Sequence, residues 1–103
     1  MDREQVQNKL ADLWKRHLPE IAGRVAVLER ACEALGAERL SEEEREAAVG
    51  AAHKLAGVLG TFGRTRGTEL AREVEGMLEG CAREQMGELR HRVEELRRII
   101  AQP

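Results

Sequence analysis

Residues 41–63 read SEEEREAAVGAAHKLAGVLGTFG, and the period of their apolar positions decides the fold. On a helical wheel at roughly 100° per residue, Ala48, Ala51, Ala52, Leu55, Val58, Leu59 and Phe62 fall within one arc. That arc is about 120° wide, the apolar stripe of a core-facing helix. Ser41 followed three residues later by Glu44 is a capping box: hydroxyl and carboxylate each satisfy a backbone N–H that the first turn leaves unpaired. Opposite the stripe stands His53, surrounded by Glu46, Val49, Gly50, Ala56, Gly57, Gly60 and Arg64. A glycine inside a helix costs about 1 kcal/mol relative to alanine, so a gathering of glycines about one imidazole needs a reason. Bare backbone lets the ring stand clear of the helix and lets another protein surface approach it. That arrangement suits a nucleophile acting on a group brought from outside.

Outward from this segment, punctuation divides the chain into five helical stretches. The first runs from about Asp2 to Leu18, with Val6, Leu10, Leu13, Trp14 and Leu18 at helical spacing. Pro19 is expected to interrupt it and to start the next stretch, which carries Ile21, Val25, Leu28, Cys32 and Leu35 and stops near Gly36. The third is the His53 helix, ending around Gly63. The fourth, from about Thr65 to Glu79, shows Leu70, Val74, Met77 and Leu78 and can end at Gly80. The fifth, about Glu84 to Ile100, spaces Met86, Leu89, Val93, Leu96 and Ile100 by three or four. Short connections favour antiparallel neighbours. The expectation is an all-α fold: an antiparallel four-helix bundle with an additional N-terminal helical stretch, either a member of the bundle or a cap on it. Residues 1–103 are expected to form a single domain, since this length allows one modest core.

Composition agrees with that class. Aromatic residues make up 2% of the chain, Trp14 and Phe62 with no tyrosine, while Ala, Leu, Glu and Arg abound. Such a mixture favours helices over strands. The net charge of −2 provides no field for holding nucleic acid, and there are no aromatic platforms for stacking bases. No apolar run reaches membrane-spanning length, and the charged N-terminus has no signal-peptide core. A cytoplasmic location is expected. Cys32 and Cys81, far apart and in no CxxC pair, read as reduced thiols. His17 and His91 lie in charged helical surroundings and read as solvated. No pair of histidines has the i, i+4 spacing of a helical metal site.

The segment Ala52-His53-Lys54-Leu55-Ala56-Gly57, then Leu59-Gly60-Thr61-Phe62-Gly63 and the helix Leu70-Ala71-Arg72-Glu73-Val74-Glu75, resembles the histidine phosphotransfer (HPt) domain family of two-component phosphorelays. The histidine, the glycine four residues on and the glycine ten residues on all match. The resemblance implies that His53 is the phosphoacceptor and that Gly57 is the small residue beside it that lets a receiver domain dock. It further implies that Leu55 faces the core and that Gly63 turns the chain. The implied partners are a response-regulator receiver domain and, as a second donor, a sensor histidine kinase. No cofactor is expected in this chain itself; Mg2+ is expected from the receiver. Gly50, Lys54, Ala56, Gly57, Gly60 and Arg64 form the expected docking face. Lys54, Arg64 and Arg66 form a basic cluster around the His53 end of the third helix, readable either as a solvated loop or as complementary to the acidic pocket of a receiver domain. One departure stands out: where the family commonly carries a lysine three residues after the histidine, this chain has Ala56.

A neutral imidazole is a nucleophile near neutral pH, and phosphoryl transfer through a loose in-line transition state asks mainly for positioning. Two other classes fit less well. A non-catalytic helical adaptor would use the glycine-lined face for docking alone. A dimerising fragment of a histidine kinase would need a long helical hairpin, whereas several shorter helices suit a monomer.

Overall fold

A computed structural model describes residues 2–80 and 82–102; Cys81 lies outside them. The described chain forms α1 (Arg3–Gly36), α2 (Glu42–Thr61), α3 (Thr65–Glu79) and α4 (Met86–Ile100), the last preceded by a short 3-10 turn at Ala82–Gln85. Each helix runs antiparallel to the next. α2 packs against α1 and α3, and α4 closes the ring between α3 and α1. Among the described residues this is the expected all-α antiparallel four-helix bundle.

The additional N-terminal stretch is present, but it is not separate. Pro19 lies inside α1, which runs unbroken for 34 residues. Proline removes one donor and disfavours helix on its N-terminal side. Here, though, Pro19 and Lys15, the residue whose carbonyl loses a partner, are both exposed to water. The core stripe Trp14, Leu18, Ile21, Val25, Leu28 and Cys32 also passes across the proline without changing phase, so both halves are held to the same core. Asp2 and Gln5 form a second capping box at the start of this helix.

At about 1.5 Å per residue, α1 spans the whole 51 Å length of the molecule. The other three helices are shorter, so the first turns of α1 extend past them. Val6, Leu10 and Leu13 are left 40–45% exposed. Trp14 is where α1 meets the bundle end: its ring stands edge-on to Phe62, centroids 5.3 Å apart.

The α2 end follows the sequence closely. Ser41 accepts from the Glu44 N–H at 3.0 Å, and the Glu44 carboxylate accepts from the Ser41 N–H at 3.1 Å. At the other end Arg64 N–H bonds to Leu59 O and Gly63 N–H to Gly60 O, the Schellman pattern. Gly63 sits at φ +72°, where a side chain would be strained.

The core is filled by Ile21, Val25 and Leu28 of α1, Leu55 and Leu59 of α2, Leu70 and Val74 of α3, and Leu89 and Leu96 of α4, none more than 1% exposed. Between α2 and α3 the packing changes character. Ala52 and Ala56 of α2 and Gly67 and Ala71 of α3 are buried small residues, and Thr68 of α3 meets Ala56 O and the open side of Gly60. A Cβ built on Gly67 would lie 3.0 Å from Leu59 Cδ1 and 3.4 Å from Ile99 Cγ2. Gly67→Leu should therefore push α2 and α3 apart, lowering stability in urea by about 1–3 kcal/mol as overpacking does. It should also shift the NMR signals of the His53 ring, which depends on this spacing as described below.

Candidate functional site

His53 projects from the middle of α2, its side chain 74% exposed. Its Nδ1 lies 3.1 Å from Oε2 of Glu75 on α3, a carboxylate only 22% exposed. A carboxylate in its ionised form can only accept, and with that form of Glu75 the contact requires the proton on Nδ1, which donates. In the neutral ring the lone pair is then on Nε2, on the side away from Glu75. The carboxylate thus selects the tautomer and limits ring rotation. Glu75 reaches this place because Leu70, Ala71, Val74 and Leu78 turn the apolar stripe of α3 into the core, which brings Glu75 to the flank facing α2.

Around the ring the surface is open. A Cβ on Gly50 or Gly57 would meet nothing within 4 Å, and Lys54 is exposed beside them. Gly60 is also exposed, but it borders the helix seam, where an added Cβ would lie 3.3 Å from Thr68 Oγ1. His53, Gly50, Lys54 and Gly57 therefore share one accessible patch, with Gly60 at its edge.

Two residues expected on the docking face are elsewhere. Ala56 is 6% exposed; α3 covers it, and its carbonyl accepts a hydrogen bond from the Thr68 hydroxyl at 3.1 Å. On a bare wheel Ala56 is near His53, but the close approach of α3 claims that flank. Arg64 is drawn to the end of the bundle. Its guanidinium lies 4.2 Å over the Trp14 ring and donates to Ile99 O at 3.3 Å. It joins three helices rather than facing a partner of His53. Arg66 is paired with Glu95 and Glu69. The basic cluster read at this end is thus largely engaged within the bundle.

His17 and His91 are exposed, as expected. Burial among apolar atoms pushes the Cys32 thiol up to about 11, so the thiol is protonated at neutral pH. The described residues contain no group of three or more His, Cys, Asp or Glu side chains placed to hold a metal. A groove of about 500 Å3 between the start of α1 and the bundle end is lined by Leu10, Trp14, Phe62 and Ile100 and lies away from His53. The role of Glu75 was not visible in the sequence, because the pairing depends on the register of two helices 22 residues apart at this contact.

The chain is thus a small helical bundle that displays one histidine, tethered through Nδ1, on an open helix face. In comparison with known proteins, the Hpt domain family matches residues 5–102, and the chain belongs to that family. It is also 34% identical over 74 residues to Protein RcaC of Microchaete diplosiphon, a match covering 72% of this chain and 11% of that protein. No solved structure matches it significantly. Membership carries a general role in phosphotransfer within two-component signalling. No helix among the described residues is long and apolar enough to cross a membrane.

Two substitutions separate bundle from site. Ala56→Lys should lower stability by about 1–3 kcal/mol, because the longer side chain has to be forced between α2 and α3. Arg64→Ala should lose about 1–2 kcal/mol with the ring contact and the carbonyl bond, yet leave phosphorylation of the folded protein unchanged. Thermal unfolding and a phosphorylation assay below Tm check both.

Proposed function

We propose that this domain is a phosphorelay intermediate in which His53 accepts a phosphoryl group on Nε2 from a receiver-domain aspartate and passes it to the aspartate of a response regulator. The observation that carries this reading is the pairing of an exposed ring with a half-buried carboxylate, Nδ1 to Glu75 Oε2 at 3.1 Å. When Nε2 attacks, the bond from phosphorus to the aspartyl oxygen breaks, the aspartate leaves as carboxylate, and an N–P bond forms. The ring keeps its Nδ1 proton and becomes cationic, and Glu75 offsets that charge. This resembles the part played by a buried aspartate beside a catalytic histidine. Return transfer runs the same steps backwards.

The acidic pocket and its Mg2+ belong to the receiver. This chain contributes a positioned nucleophile and room to approach it, through Gly50, Gly57 and the exposed Lys54. A sensor histidine kinase is a second donor of the same chemistry. The four helices enclose their own core, which supports action as a monomer, and a net charge of −2 suits protein partners rather than nucleic acid. We place the exchange in the cytoplasm.

Incubation with a phosphorylated receiver domain should put a phosphate on this protein that is labile in acid and stable in alkali, as a phosphoramidate is. His53→Gln should abolish it. Label that survives acid and is lost in alkali would remove His53 from the account. Gly57→Leu should keep the fold, since the space beside Gly57 is open and leucine favours helix by up to ~1 kcal/mol. It should block transfer from the receiver while phosphoramidate, a small donor, still phosphorylates His53. Equal loss with both donors would contradict a docking role for the open face.

A further inference from the structure

The site as described contains a carboxylate and no cation in contact with the ring, although a phosphoryl group on Nε2 would bring up to two negative charges close to Glu75. The position on α2 one turn beyond His53 cannot offer a cation, because Ala56 is buried under α3. The neighbouring helix can. Thr68 reaches across to Ala56 O, and Glu75 reaches across to His53 Nδ1. These two residues therefore mark the edge of α3 that faces α2. Arg72 is four residues after Thr68 and three before Glu75, on the same stripe and between those contacts. In the antiparallel register this sets it level with the turn of α2 that follows His53, where the surface over Gly57 is open.

Arg72 is exposed and makes no hydrogen bond or ion pair with any described residue. The arginines toward α4 differ: Arg66 binds Glu95, Arg92 binds Glu73 and Arg97 binds Glu29. Lys54 is also exposed, but it lies roughly 100° around α2 from His53, on the side away from α3.

We infer that Arg72 is the binding group for the phosphoryl oxygens, a cation supplied across the α2–α3 seam rather than from the histidine's own helix. This rests on His53 being the phosphoacceptor. An arginine suits the task, because its planar fork can engage two phosphoryl oxygens at once. In the free protein it is an exposed cation that no described residue pairs. In the phosphorylated protein it offsets the repulsion between the phosphoryl group and Glu75. It acts on the adduct, without bearing on which nitrogen attacks.

The test uses the full chain phosphorylated with phosphoramidate and followed by 31P NMR. The second ionisation of the phosphoryl group is the deciding readout, since a neighbouring cation favours the dianion and lowers it. Arg72→Gln should raise that ionisation by about half a unit, a roughly 3-fold change in its constant. It should also shorten the lifetime of the phosphohistidine, while Tm and the circular dichroism stay the same. Arg72→Lys should keep most of the effect, and Lys54→Gln should leave the titration where it is. An ionisation unmoved by Arg72→Gln overturns the assignment, whatever happens to the lifetime. So does a titration that moves with Lys54→Gln instead. Failure of the unmodified chain to form any acid-labile phosphate under these conditions would sink the reading of His53 itself, a result distinct from either.

Discussion

The site depends on how closely α2 and α3 approach each other. Side chains at this seam are alanine, glycine and threonine, and Gly67 is near enough to Leu59 and Ile99 that an added Cβ would press on both. With larger residues the two backbones would separate, and a glutamate on α3 could not remain within hydrogen-bond distance of a histidine on α2. The same closeness buries Ala56 and lets Thr68 bond to its carbonyl. Small residues along a helix stripe thus have a geometric result. They bring one helix's polar flank within reach of its neighbour's, while the leucines behind them provide most of the apolar burial that stabilises the pair.

The site also combines two opposing demands. A nucleophile handled by other proteins has to be exposed, and exposed side chains are mobile. In the proposed role of His53, Glu75 resolves this by restraining the ring from Nδ1 and leaving the Nε2 edge in solvent. The glycines at 50 and 57 then cost helix stability without weakening the core, since the stripe of α2 that packs inward is intact. The structure places its local instability on the surface where access is needed, a common location for such trade-offs.

Much of this was legible from residues alone. The helix over 42–61, its capping box and its glycine exit followed from period and end signals, and so did the exposed side of the helix bearing His53. The reading of Pro19 as a break gave a local rule too much weight: the apolar stripe of α1 keeps its phase from Trp14 to Cys32, and tertiary packing on both sides of a solvent-facing proline carries the helix through. Ala56 and Arg64 failed for a different reason. A wheel drawn for one helix shows what leaves the core stripe, but not which part of the remaining surface a neighbour will cover. Glu75 and Arg72 are the same limitation in reverse. Each is a charged residue on a polar flank of α3, and only the register between two helices gives it a position relative to His53.

Trp14 lends the molecule a property of a different kind. It is the one tryptophan in a chain without tyrosine, nearly buried, with Phe62 edge-on to it and the Arg64 guanidinium over its face. Ultraviolet emission therefore arises from a single fluorophore, at the point where the long first helix seats on the end of the bundle. The His53 side chain begins about 13 Å back along α2 from Phe62. Emission from this protein is thus a spectroscopic gauge of how that helix is seated, insensitive at first order to the chemistry of the histidine. The two ends of the domain can be watched independently, one by light and the other by phosphorus resonance.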